Sequence, residues 1–477
     1  MSTQLPPQLH PDSESSDSRR PDLSRTVWAQ QALTANGWVS RATIDIGADG
    51  FITRIEENSR QQGIQAGVLL PAPANLHSHG FQRAMAGLTE TRGSTTDSFW
   101  TWRQRMYQFL EHLNPDDVQA ITTFAFMQML EAGFASVGEF HYLHHQPGGK
   151  AYLSIGEMGA RVANAASISG IGLTLMPVLY QQGGCDGREL TRAQQRFGNS
   201  LDQYHRLLCD IQAAVRQLSP DCQTGVAPHS LRAVPAASIR AMAEFIPGTP
   251  IHIHIAEQVA EVDEVVAATG LPPVHWLLET VDVNQHWCLV HATHMTPTET
   301  SALAASGAVA GLCPITEANL GDGIFPGNFF RQAGGLFGVG SDSNIRISLI
   351  EELRSLEYSQ RLNDKARAVL CDEKSSNGRY LWESCAHGGA RAIGRANGEI
   401  AVGKLADLVA LDADAISLTG LKADQLLDSA IFTGDNNLIT DVWAAGRHLV
   451  KNGCHVRHQE ISDHYRTTMK RLRKIIS

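Results

Sequence analysis

The feature that most constrains this chain is a rhythm that sets in after residue 70. Short apolar segments recur: ASVGEFHYL at 135–143, GIGLTLMPVLY at 170–180, TGVAPHSL at 224–231, PIHIHIAE at 250–257, WCLVHATH at 287–294, GAVAGLCP at 307–314 and GGLFGVGSDS at 334–343. Helical stretches lie between several of them, such as NPDDVQAITTFAFMQMLEAG at 114–133 and TPTETSALAASG at 296–307. Asn114 and Thr296 are the expected N-caps, each followed by proline at the first helical position. Alternating strand and helix argues for parallel β/α units. This many units favours a closed (β/α)8 barrel over an open doubly wound sheet.

The flanks read differently. Residues 1–24 are rich in Ser, Pro and Asp and are expected to be a disordered tail. Over 25–70, strand-like pieces (TVWAQQALT, GWVSRATIDIG, FITRIEE) alternate with Gly and Asn punctuation, the pattern of a small β unit. Over 400–456, GEIAVGKLADLVALD and DVWAAGRHLVKNG return to short strands. They are expected to rejoin the first unit, so that both chain ends build one small β-sandwich beside a barrel over 71–399. The stretch 457–477 reads as a basic amphipathic helix packed on the body.

The chain has 477 residues, of which 43% are hydrophobic and 18% charged, enough for a sizeable core. Its net charge of −10 excludes nucleic acid or an anionic membrane as a partner held by the overall field. An anionic small molecule would need locally placed arginines. The 8 cysteines form no CxxC pair, and neither an apolar leader nor an 18-residue apolar run is present. A cytoplasmic protein with reduced thiols is expected.

Chemistry concentrates at the strand ends. In NLHSHGFQR, His77 and His79 sit at i and i+2, so a strand would point both imidazoles to one spot at the barrel mouth. Two imidazoles suit a divalent transition metal, most often zinc. PIHIHIAE supplies His252 and His254; His254 is the better ligand, being nearer the strand end and just before Glu257, and His252 reads as a core residue. VHATH puts His291 at another strand end, with His294 beyond it, and GVGSDSN puts Asp342 at the last. In HYLHH, His141, His144 and His145 read as loop histidines rather than metal ligands. In LCPITEANLGDG, Glu317 and Asn319 read as shaping a loop near the mouth.

HxH after the first strand, HxxE on the fifth, His on the sixth and Asp on the eighth resemble the amidohydrolase superfamily, deaminase type. The resemblance implies one metal per subunit, expected to be Zn2+, held by His77, His79, His254 and Asp342 with a water; iron or manganese suits the same donors. Two-metal members carry a lysine at the end of the fourth strand, where this chain reads APHSLR. NLHSHGFQRAMAG, SFWTWRQRMY, GEFHYLHH, APHSLRAV, HIHIAEQ, LCPITEANLGDGIF and GSDSN are more specifically similar to the N-formimino-L-glutamate deiminases of histidine degradation. Carried over residue by residue, substrate contacts fall on Gln82, Arg103, Tyr142, His229 and Arg232, and acid/base roles on Glu257, His291 and Asp342. The family is expected to show a small residue such as alanine where this chain has Gly80.

The implied reaction is hydrolytic deimination of N-formimino-L-glutamate to N-formyl-L-glutamate and ammonia, by a cytoplasmic homodimer. Arg103 and Arg232 suit its two carboxylates. The alternative is a sister deaminase acting on a guanine, triazine or adenosine-like ring, for which an aromatic-lined pocket is expected. A barrel that has lost catalysis typically loses its metal ligands, and every expected ligand is present here.

Overall fold

Asn114 and Thr296 do start helices. Asn114 accepts the backbone N–H of Asp117 at 3.0 Å while the Asp117 carboxylate accepts that of Asn114 at 3.2 Å. Thr296 and Glu299 repeat the exchange. These reciprocal caps begin the helices Pro115–Glu131 and Pro297–Ser306. The computed structural model describes residues 25–90 and 99–476, so the tail expected over 1–24 lies outside the described residues.

Both chain ends meet in one mixed sheet. Its strands are β1 (Arg25–Thr34), β2 (Gly37–Ile46), β3 (Ile52–Glu56) and β4 (Ile64–Pro71) from the first end. The barrel segment then supplies β5 (Ala74–Ser78), β6 (Ser136–His141), β7 (Gly172–Leu179), β8 (Gln223–Thr224) and β9 (Ala227–Pro228). It continues with β10 (Ile251–Ile255), β11 (Trp287–His291), β12 (Val309–Leu312) and β13 (Leu336–Val339). The second end returns β14 (Leu408–Leu411), β15 (Ile439–Ala444), β16 (Arg447–Lys451) and β17 (Cys454–His455). The order β17-β16-β15-β14-β4-β1-β2-β3 is closed at its middle by antiparallel pairing of β14 with β4. Ala42, Ile44 and Ile46 of β2 recur with period two and pack with Trp443 of β15 in a separate apolar cluster.

β5 to β9 form one parallel sheet and β10 to β13 a second. Single parallel bridges join them at both margins, Ser78 to Asp342 on one side, and Val226 to Ile251 and Ser230 to His254 on the other. The segment read as one strand over 224–231 is split into β8 and β9, since Gly225 weakens the ladder and Pro228 has no N–H to give it. The carbonyls that end the helix Asn377–Ala392 close the space beneath the sheets. Ala392 accepts from His252 Nε2 at 2.7 Å, and Ile393 accepts from Thr174 at 2.8 Å and from Gln223 at 2.7 Å. His252 is thus a core residue, as its place in the strand suggested.

A buried charge network fastens the terminal sheet to the barrel. Arg395 bonds Asp407 at 2.6 Å and Asp221 at 2.7 Å, and Arg447 of β16 bonds the same Asp221 at 2.7 Å. The helix His458–Ile476 lies on Pro115–Glu131, stacking Tyr465 on Phe124 at 3.9 Å between ring centres and pairing Arg471 with Asp117. Among the described residues no helix is long and apolar enough to cross a membrane, and all eight cysteines are free.

Candidate active site

The bridge between Ser78 and Asp342 brings the first and last strands of the parallel sheets together, and a glycine permits it. A Cβ at Gly340 would stand 2.6 Å from the carbonyl oxygen of His77. An amide and hydroxyl network then locks the two loops. Asn75 donates to Ser341 Oγ at 2.6 Å, Ser341 donates to Asn344 Oδ1 at 2.6 Å, and Asn344 Nδ2 donates to Ser78 Oγ and to the carbonyls of His79 and Asp342, each at 3.1 Å. Asp342 (φ 44°) and His291 (φ 68°) are held in the left-handed region, which costs of order 1–3 kcal/mol each and is met by such surrounding bonds.

The result is a tight convergence of four buried groups, His77, His79, His254 and Asp342. His77 Nε2 lies 3.3 Å from His79 Nε2 and 3.1 Å from His254 Nε2, and Asp342 Oδ1 lies 3.1 Å from His79 Nε2 and 3.4 Å from His77 Nε2. The Phe140 carbonyl accepts from His79 Nδ1 at 2.9 Å and the His229 carbonyl from His254 Nδ1 at 3.1 Å. A carbonyl cannot donate, so both rings carry a proton on Nδ1 and turn Nε2 toward the cluster. Burial holds His77 down at about 3 and His254 well below the usual imidazole range, keeping both neutral. Inward lone pairs beside a carboxylate repel one another unless a cation lies between them. This donor set fits a divalent transition metal.

His291 stands beside the cluster with Nδ1 3.2 Å from Glu317 Oε1 and Nε2 3.9 Å from Glu257 Oε1. Burial opposes its charge, but Glu257, Glu317 and Asp342 outweigh burial and raise it to about 10. Burial raises the Glu257 carboxyl to about 7 against the pull of His291. Glu317 is therefore the partner of His291, and it sits in the helix Pro314–Leu320 rather than in a loop. Asn319, from the same helix, turns to Glu90 instead. His294 donates to the Asp322 carbonyl at 2.7 Å.

One cavity opens onto these groups. His79, His254, Glu257, His291 and Asp342 line it together with Gln82, Arg103, Tyr142, His229 and Arg232, while His77 lies behind His79 and reaches only the cluster. Every substrate-contact residue expected from the sequence is thus gathered at one mouth. Gln82, in the 3-10 turn Gly80–Met85, donates to the Tyr142 hydroxyl at 2.7 Å, which donates to Met106 Sδ at 3.2 Å. Burial lowers His229 well below the imidazole range, so it enters as a neutral ring. Arg103 lies in the helix Phe99–Leu110 and its guanidinium covers Trp100 at 5.1 Å and Tyr107 at 5.3 Å. Six aromatic side chains line the same cavity, among them Phe99, Trp102, Tyr180 and Phe197. Aromatic lining therefore does not separate an acyclic from a ring substrate, and Arg103 and Arg232 line the same cavity. His144 and His145 donate to the carbonyls of Val178 and Gly198, each at 2.9 Å, and among the described residues neither they nor His141 join a metal-type group. Asn75, Ser341 and Asn344 were not expected from the sequence, although all three stand inside the motifs NLHSH and GSDSN.

With a strand-end cluster of metal-type donors at the mouth of parallel sheets, the chain belongs to the amidohydrolase family, whose model matches residues 68–449. Within it, the chain is 45% identical over 433 residues to formimidoylglutamate deiminase of Pseudomonas aeruginosa, covering 90% of this chain and 95% of that one. A crystal structure of an amidohydrolase from Brucella melitensis superposes with a TM-score of 0.91 at 43% identity, covering 94% of this chain and 99% of the other. Deaminases of ring substrates stand further away. A 5-methylthioadenosine/S-adenosylhomocysteine deaminase of Natronomonas pharaonis is 28% identical over 363 residues, 74% of each chain. A zinc-bound adenosine deaminase of Xanthomonas campestris shares the fold at 20% identity and a TM-score of 0.78, covering 94% of this chain and 98% of the other.

Proposed function

We propose that the chain is a formimidoylglutamate deiminase, hydrolysing N-formimino-L-glutamate to N-formyl-L-glutamate and ammonia. The observation that carries this is the pairing of Arg103 and Arg232 in one cavity with the metal-type cluster, in a chain 45% identical to an enzyme of that name. We read the two parallel sheets as one (β/α)8 barrel over 71–399, with a β-sandwich from 25–70 and 400–456 and a terminal helix over 457–477. The working unit is a cytoplasmic homodimer.

His77, His79, His254 and Asp342 would hold one zinc ion per chain. When bound, such an ion supplies Lewis acidity that makes a water acidic enough to attack near neutral pH. Arg103 and Arg232 grip the two carboxylates of the substrate, and Gln82, Tyr142 and His229 orient the formimino group by neutral hydrogen bonds. Asp342 takes a proton from the attacking water. The water oxygen bonds to the formimino carbon, and the charged His291 ring stabilises the oxygen as negative charge gathers there. Glu257, poised near neutrality by burial, protonates the terminal nitrogen. The bond from carbon to that nitrogen then breaks as the proton held by Asp342 passes to the departing nitrogen and the hydroxyl proton passes to Glu257; ammonia leaves, the formyl carbonyl forms, and both carboxyl groups return to their starting states. Proton transfer of this kind contributes about 10²–10⁴-fold.

The test gives the zinc-loaded protein N-formimino-L-glutamate and identifies both products. Ammonia with N-formyl-L-glutamate is expected. Formamide with glutamate would place the proton from Glu257 on the other nitrogen. No turnover with zinc verified, but turnover of a purine or triazine, would overturn the reading.

A further inference from the structure

One buried carboxylate beside the site takes no part in the chemistry above. Glu261 stands in the first turn of the helix Val259–Thr269, four residues after Glu257, and its side chain is fully buried. Its Oε2 accepts the backbone N–H of Glu257 at 3.1 Å. Its Oε1 has no hydrogen-bond partner and lies 3.9 Å from Nε of Arg232, which is equally buried and equally without one. A buried carboxylate and a buried guanidinium, each with an unsatisfied atom aimed at the other, form a pair whose separation costs far more than that of a surface pair.

We propose that Glu261 is a positioning residue that reserves Nε of Arg232, so that the guanidinium presents its two terminal nitrogens end-on to a substrate carboxylate. An arginine offers a carboxylate two bidentate edges, one of which uses Nε. Glu261 removes that edge from competition. Trp100 restrains the group as well, its ring lying 5.8 Å from the Arg232 guanidinium carbon. Because Glu261 also holds the backbone of Glu257, one carboxylate sets the spacing between the group that grips the substrate and the group that protonates it. This rests on the deiminase reading, in which Arg232 meets a carboxylate.

The experiment is a double-mutant cycle between Glu261→Gln and Arg232→Met in the zinc-loaded protein, with KM and kcat for N-formimino-L-glutamate, metal content and melting temperature measured throughout. Glutamine keeps an oxygen for the Glu257 N–H and loses the charge that faces Arg232. Glu261→Gln is expected to raise KM about tenfold or more, with kcat falling far less and metal content unchanged. In the Arg232→Met background the same change is expected to raise KM no further. Glu261→Asp, which keeps the charge but withdraws it by one methylene, is expected to fall between wild type and Gln, and it carries the test if the Gln variant does not fold. A KM unmoved in Glu261→Gln, or raised equally with and without Arg232, overturns the assignment. A wild type that does not turn over N-formimino-L-glutamate sinks the functional reading instead, so the two failures are distinct.

Discussion

Glu317 Oε1 touches two groups at once: Nδ1 of His291 at 3.2 Å and the backbone N–H of Cys313 at 2.8 Å. The carboxylate is pinned by the start of its own helix and in turn fixes which way the imidazole faces, leaving Nε2 toward Glu257. A group raised in the folded protein keeps its charge below the raised value, so His291 is charged through neutral pH. Glu317→Gln weakens that hold. The pH at which the ring loses its proton, followed by NMR, should move to lower pH, while the Glu257 carboxyl near 7 still sets the alkaline limb of the kcat profile. A ring titration that does not move would show that Glu317 does not hold the His291 charge.

Asn344 tests whether the metal cluster is built by the residues behind it. Asn344→Ala removes four side-chain hydrogen bonds that align the loops of His79 and Asp342 while sparing the four convergent donors. Zinc affinity is expected to fall about 10–100-fold, measured by competition with a chelator. Asp342→Ala should abolish turnover at any zinc concentration. Equal zinc retention by Asn344→Ala and wild type would mean the ligands need no such frame.

Gly80 stands where alanine was expected, and the reason lies on a neighbouring helix. A Cβ there would meet Thr122 Cγ2 at 2.8 Å and Oγ1 at 2.9 Å, while the Gly80 N–H donates to Glu139 at 2.6 Å. Gly80→Ala should cost about 1–3 kcal/mol by overpacking. Adding Thr122→Ala should recover most of the loss, since it removes both obstructing atoms. Thermal melts of the two single variants and the double variant check this, and simple additivity would refute it.

These cases separate what was legible in the sequence from what was not. His77, His79, His254, His291 and Asp342 could be found because strand periodicity and position at a strand end belong to the chain itself. Asn114 and Thr296 announced their helices by chemistry confined to four residues. Glu261, Glu317 and Asn344 act through partners that only the folded chain brings near, so their roles cannot be read from the residues beside them. The split of β8 from β9 was written in Gly225 and Pro228, but an apolar run of strand length obscured it. Gly321 and Pro314 punctuate a helix as readily as they do a turn, so the sequence around Glu317 does not separate the two.

Asp221 offers a measurement away from the site. Burial pushes its carboxyl up, but Arg447 and Arg395 outweigh burial and hold it at about 2. A depressed carboxyl stabilises the fold above its unfolded value, near 4, and that stability is lost as pH falls toward 2. Asp221→Asn should destabilise the protein by about 3 kcal/mol at neutral pH, because Arg447 loses its partner. The gap from wild type in denaturant melts should narrow as pH drops from 4 toward 2. A gap that stays constant over that window would remove Asp221 from the acid response.

The pairing of β14 with β4 also has a consequence for the order in which the protein is made. β4 leaves the ribosome well before the strand that completes it, which is translated only after the segment carrying the four convergent donors has followed. Until then one side of β4 is a row of open backbone groups next to apolar Val68, Leu69 and Leu70, the kind of edge on which nascent chains stick to one another. A chain halted before Leu408 would keep that edge for good, so β14 acts as a seal applied only after the barrel segment has been made.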